Sequence, residues 1–204
     1  MKSRLLAISA GLASVLAAGT TACSDPNRNN TTVSAVVADT LTVWALTGTS
    51  PSFPSAYLSS LGAVTRADGN FNFDIAFDID ASRKIVVFPQ RLVGVPCIPN
   101  ALHCGGALGY KPVGLQRISG AFEALERAPT DGYVFDSTFT VAPGEGLVMQ
   151  VQSQDECLAY LSTIRYTKLV VDSIDAAQRI VYFRTVHDPN CGYRNLIPGE
   201  VPKN

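Results

Sequence analysis

Three aspartates in one alternating stretch are the residues of this chain best spaced to do chemistry. Asp74, Asp78 and Asp80 fall at even spacing within Phe71-Asn-Phe-Asp-Ile-Ala-Phe-Asp-Ile-Asp80. On a β-strand successive side chains point to opposite faces, and alternate positions on one face lie about 6.5–7 Å apart. Carboxylates at that separation can serve as the acid and base of an inverting glycosidase. They can also offer oxygen ligands to calcium beside the turn at Asp80 and Ser82. The plain alternative is a solvated strand face, where charge discourages edge-to-edge pairing. Asp74, Asp78 and Asp80 therefore stand as candidates for calcium, and no residue is assigned a catalytic role.

The remaining chemistry is sparse. The chain has two histidines, His103 and His187. His187 and Asp188 are adjacent, but neighbours on a strand point apart, and a hydrolase triad also needs a placed serine and an oxyanion hole. No Gly-x-Ser-x-Gly elbow is present, so His187 is expected at the surface or at a hairpin end. The run Gly105-Gly106-Ala-Leu-Gly109 fits no dinucleotide fingerprint, and no cofactor is expected. Trp44, the one tryptophan, shares a strand face with Thr40, Thr42 and Leu46. If Leu41 and Val43 on the other face enter the core, Trp44 is exposed and can stack on a sugar or a partner. A strand packed on both faces would bury it instead.

The N-terminus is an address. Lys2 and Arg4 precede residues 5–18, which carry no charge, and small residues follow up to Cys23. A basic start, an apolar core and a small-residue cleavage site make a secretory signal peptide. The apolar run is shorter than the roughly 20 residues a membrane span requires. Thr20-Thr21-Ala22-Cys23, followed by Ser24-Asp25, resembles the processing site of bacterial lipoproteins. Thr20 departs from the aliphatic residue usual at that place. The resemblance implies cleavage before Cys23 and lipid on its thiol and new amine, and two or more acyl chains anchor a protein stably. Ordinary cleavage after Gly19 or Ala22, leaving a soluble secreted protein with a free Cys23, is the alternative. Residues 24–32 are polar with nothing to bury, as in a solvated tether. The organisation expected is a signal peptide over 1–22, a lipidated tether over 23–36 and one β-rich domain over 37–204.

Five cysteines occur, at 23, 97, 104, 157 and 191. With Cys23 lipidated, four remain, and export makes disulfides the default. The pairing favoured is Cys97–Cys104, closing a short loop with Pro99 and Asn100 at its turn, and Cys157–Cys191. Zinc is the competing reading, because His103 adjoins Cys104 and His187 lies four residues before Cys191. Zinc takes Cys and His ligands, but no Cys-x-x-Cys pair accompanies them.

These residues need elements to hold them, and the dominant period is two. In 71–80, Phe71, Phe73, Ile75, Phe77 and Ile79 fall on one face and the polar residues on the other, which predicts a strand. Residues 85–88 begin its return after a turn at 80–84. Further strands are expected over 39–46, 113–118, 133–141, 147–152, 168–174 and 180–186. In 133–141, Tyr133, Phe135, Phe139 and Val141 would share a face. Short helices are expected over 54–61 and after Asp155, where Cys157, Leu158, Leu161 and Ile164 recur at helical spacing, and 122–127 fits helix or strand. Residues 79–88 and 174–183 match at six of ten positions, through either an internal duplication or two hairpins with the same turn chemistry. Many short strands with few helices predict an antiparallel β-sandwich or barrel with one or two short helices.

Composition bounds the function. Of 204 residues, 47% are hydrophobic and 16% charged, with a net charge of -1. That excludes a basic nucleic-acid binder and a disordered tail. The expectation is an exported bacterial envelope protein, held to the membrane by its lipid, acting as a non-catalytic binding or structural module for an envelope protein or glycan. An envelope hydrolase, glycan-directed and using the strand aspartates, is the alternative.

Overall fold

A computed structural model of the protein describes residues 33–94, 111–135, 137–153, 155–158 and 162–203. The leader, Cys23, Cys97, His103 and Cys104 lie outside the described residues. The described chain forms β1 (Val37–Trp44), β2 (Ala56–Leu58), β3 (Ala63–Thr65), β4 (Ile75–Ile79), β5 (Ile85–Pro89), β6 (Val113–Arg117), β7 (Val134–Phe135), β8 (Phe139–Val141), β9 (Gly146–Gln152), β10 (Ile164–Asp175) and β11 (Ile180–His187). One sheet has the order β1-β11-β10-β9-β6-β7 and the other β3-β2-β4-β5-β8. Every pairing is antiparallel. The result is a sandwich of two open sheets, not a closed barrel.

Alternation sets the core between them. Val43 on β1, Phe183 on β11, Leu169 and Val171 on β10 and Met149 on β9 meet Tyr57, Ile75, Phe77 and Val87 of the other sheet. Phe183 takes the edge of Tyr57 at 5.9 Å and the ring of Phe77 at 4.9 Å between centroids. Burying one such ring contributes roughly 1.5–3 kcal/mol. The six-stranded sheet is also covered outside. Tyr166, Val170, Val148 and Val186 pack there against Phe122, Ala128 and Leu196. β10 is thus buried on both faces, which explains the loss of clean alternation along it.

Several expected elements differ. Residues 54–61 hold the buried strand β2, because Ala56 and Tyr57 pair with β3 and β4. After Asp155 the described residues hold a 3-10 turn, Asp155–Cys157, and Ile164 already belongs to β10, paired with Gln152. Residues 133–141 are two strands in different sheets: β7 pairs with β6, and β8 with β5. The chain crosses between sheets there, so the four aromatic and aliphatic residues do not share a face. Ser34 and Val36, within the segment 23–36 expected as a tether, are bonded to Asn190 and Glu200. Among the described residues no helix is long and apolar enough to cross a membrane.

The two matching segments are the hairpins β4–β5 and β10–β11. Each turn opens on an aspartate that accepts two backbone amides: Asp80 from Ser82 and Lys84, and Asp175 from Ala177 and Gln178. Each also has one arginine with positive φ, Arg83 at 62° and Arg179 at 54°. Arg179 then crosses to the other hairpin, donating to Asp78 at 2.8 Å and to the Ile79 carbonyl at 2.9 Å.

Candidate functional site

At the end of the sandwich opposite those turns, the space between the sheets changes from apolar to ionic. The change begins at a backbone irregularity. Tyr57 pairs with Ile75, and its carbonyl also accepts the amide of Asp74 at 2.9 Å. Two residues thus oppose one, the arrangement of a β-bulge, which re-aims a side chain. Asp74 turns inward and is fully buried. Phe73 leaves the main core and packs with Ala56 and Ala76, while Phe71 lies at the surface beneath the guanidinium of Arg66, 4.4 Å from its ring centre. The expected aspartate row therefore does not exist as a row. Asp74 is internal, Asp78 is held by Arg179 and by the Thr47 hydroxyl at 2.9 Å, and Asp80 caps its turn. Among the described residues no three His, Cys, Asp or Glu side chains are grouped to hold a metal ion.

Buried Asp74 is paired with a cation on one oxygen and bonded to a serine on the other. Lys111 Nζ lies 2.6 Å from its Oδ1, and Ser59 gives both its amide, at 2.7 Å, and its hydroxyl, at 2.6 Å, to Oδ2. Lys111 is also buried and sits two residues before β6 begins at Val113. Its ammonium also lies 3.5 Å from Glu156 Oε1. Glu156 is the hub. Oε1 accepts Asn72 Nδ2 at 2.7 Å, and Oε2 accepts Arg165 Nη1 at 2.6 Å. The Glu156 carbonyl accepts Arg165 Nη2 at 2.9 Å. Burial pushes the Glu156 carboxyl up, but Lys111, Arg165 and the bonds from Arg165 and Asn72 outweigh it and hold the group below its ordinary range. Two carboxylates and two cations form a closed, charge-neutral clamp, the condition under which buried charge is tolerated.

The disulfide adjoins the clamp. Cys157 follows Glu156 and is bonded to Cys191, with 5.8 Å between the Cα atoms. These sulfurs are therefore not free as zinc ligands. Arg165 Nε reaches the Pro189 carbonyl at 3.4 Å, tying β10 to the segment that leads to Cys191.

His187 is not at the surface, as expected, but 4% exposed beneath Gly62. β11 ends inside the covered end of the sheet, and a Cβ on Gly62 would stand 2.3 Å from His187 Cε1. Nδ1 of His187 lies 3.8 Å from Asp39 Oδ2. Burial holds the imidazole below its ordinary pKa despite Asp39. Asp188 points elsewhere: its Oδ1 accepts the amide and side-chain amide of Asn190 at 2.9 and 2.6 Å, and burial raises its pKa. Trp44 is half-buried and stacked on Phe53, with ring centres 5.0 Å apart. Leu41 and Val43 do face the core, and Phe53 supplies the cover on the other side.

Lys111, Glu156 and Arg165 escape a reading of the sequence. The signal for Arg165 was its inward parity with Thr167 and Leu169 on β10, hidden by the helical spacing read into 155–164. No family model, no curated protein and no solved structure matches the chain.

Proposed function

We propose that the protein is an exported, lipid-anchored binding module of the bacterial cell envelope, acting without catalysis of its own. The observation that carries the reading is the clamp. Its carboxylates, the groups of this chain best suited to acid–base work, are committed to Lys111, Arg165, Asn72 and Ser59. A general acid or base needs an oxygen within reach of substrate, whereas these oxygens brace Asn72, Lys111 and Arg165 where β4, β6 and β10 begin, at one end of the sandwich. Connections fixed on a rigid scaffold are where binding surfaces are built. Leu61 and Leu158, 73% and 83% exposed, flank the Ser60 and Glu156 contact at this same end. The disulfide supports export, since such bonds persist in oxidising compartments.

Two measurements test the reading. The first is the intact mass of the protein extracted from membranes of its host. A chain beginning at Cys23 with added acyl groups is expected, and an unmodified soluble chain rejects the anchor. The second places photo-crosslinkers at Leu158, at the clamp end, and at Ser82, on the opposite turn. Adducts confined to Leu158 are expected, and adducts confined to Ser82 reject this end as the binding surface.

A further inference from the structure

The C-terminal segment builds a second feature, whose lining includes none of the clamp's side chains. Leu196 donates its amide to the Glu126 carbonyl at 2.9 Å, and Ala128 donates to the Arg194 carbonyl at 2.8 Å. Gly199 and Val36 are joined on the other side, with Gly199 N donating to Val36 O at 2.8 Å. Between these attachments opens a cleft of about 810 Å³ lined by Arg127, Arg194, Lys203, Asn195, Glu126 and Glu200. That volume is within the range of small-molecule sites, roughly 300–1,000 Å³.

The charges in this cleft are held apart. Elsewhere Lys111, Arg117, Arg165, Arg179 and Arg184 each have a carboxylate within 4 Å. Arg127, Arg194 and Lys203 have none among the described residues, although Glu126 and Glu200 line the same space. Glu200 instead accepts Asn195 Nδ2 at 3.1 Å. Three cations lining one cleft, none with a carboxylate within 4 Å among the described residues, offer charge-assisted donors to an anion, and the arginine fork matches a phosphate geometrically. The two glutamates bound the size of that anion. A polyanion such as a nucleic-acid backbone would bring its further charges against them, whereas one compact group would not.

We infer that this cleft binds a single phosphate group, as a phosphomonoester or phosphodiester, through Arg127, Arg194 and Lys203. Two sources carry that chemistry. One is a lipid headgroup, which an anchored chain would meet at the membrane surface. This source rests on the anchor proposed above, and the site itself does not. The other is a soluble phosphoester.

The experiment uses the full chain carrying Cys23→Ser, which has no lipid whichever way the leader is processed. Inorganic phosphate is titrated and followed by amide chemical shifts. Saturable shifts are expected at residues 126–128 and 192–203, with binding weakened about tenfold or more in Arg127→Gln/Arg194→Gln, a change equivalent to about 1.4 kcal/mol. Lys203→Gln, on the exposed tail, gives the same test should the double variant fail to fold. No saturable shift in the parent, or affinity unchanged in the variants, overturns the site. Flotation with phosphatidylglycerol vesicles that the variants lose assigns the lipid source. Phosphate binding without flotation assigns the soluble one. The mass measurement decides the anchor separately, so failure of one reading is distinguishable from failure of the other.

Discussion

Asp74→Asn removes one charge from the clamp and almost no volume, so its cost is electrostatic. Lys111 would keep a single carboxylate, Glu156, whose nearer oxygen is 3.5 Å away rather than the 2.6 Å of Asp74. Both groups are buried from solvent, with side chains 1% and 0% exposed. Removing one partner of a buried pair typically costs about 3–5 kcal/mol, because the other charge is left uncompensated. The asparagine carbonyl can still accept from Ser59, which places the expectation at about 3–4 kcal/mol. For a body of this size that lowers Tm by roughly 6–16 °C. Lys111→Met should cost a similar amount. The double variant should cost less than the two single losses combined, by about 2 kcal/mol, since contacting residues couple and a buried pair replaced as a unit is often nearly neutral. The assay is urea unfolding of the three variants with the disulfide intact, using the midpoint and slope. Single variants within about 1 kcal/mol of the parent, or a double variant equal to the sum, would refute the closed clamp.

Three further outcomes follow from the same geometry. Glu156 is held below its ordinary value of 4.5 in the fold, so its ionised form contributes stability above that pH, lost as pH falls through the lower folded value; Glu156→Gln should therefore flatten the acid limb of the stability profile, and an unchanged limb rejects the assignment. His187 should titrate by NMR below its ordinary 6.5, and because the unfolded chain protonates first, its contribution to stability declines as pH falls from about that value; titration above 6.5 would mean that Asp39 at 3.8 Å prevails over burial. Cys157→Ser/Cys191→Ser, opening a loop with a sequence separation of 34, should lose about 3–4 kcal/mol in chemical unfolding on the chain-entropy account, and a loss under 1 kcal/mol would show that the clamp alone pins the segment.

The strands were legible wherever one face is solvated. β1, β4, β5 and β11 follow the period-two pattern to within a few residues at their ends. Along β10, covered on both faces, the pattern is lost, and its start read as part of a helix. Local spacing also misled at 54–61, where a short helix was expected but Ala56, Tyr57 and Leu58 gain more by burial between β3 and β4. The aspartates were legible as residues of interest, and their roles were not. A period-two argument assumes an unbroken pleat, and the bulge at Asp74 breaks it. One extra residue moved Asp74 from the expected solvated face to the interior and sent Phe73 out of the main core. Nothing in Phe73-Asp74-Ile75 announces this. The partner that makes it tolerable, Lys111, is 37 positions away.

Gly62 shows how closely the covered end is fitted. Its φ of +62° already strains any residue with a side chain, and an added Cβ would stand 2.3 Å from His187 Cε1 and 3.1 Å from Asp39 Oδ2. Gly94 separates the two effects, because its φ is +73° and a Cβ there meets nothing within 4 Å among the described residues. Gly94→Ala should therefore cost only the backbone strain, about 1 kcal/mol. Gly62→Ala should cost that plus an overpacking penalty of about 1–3 kcal/mol. His187→Ala in the Gly62→Ala background tests the origin of the excess, since removing the imidazole ring should relieve most of the clash while leaving the strain. If Gly62→Ala melts with Gly94→Ala, the loop over His187 is not packed onto it. The imidazole would then be open to solvent, and its pKa would return toward 6.5.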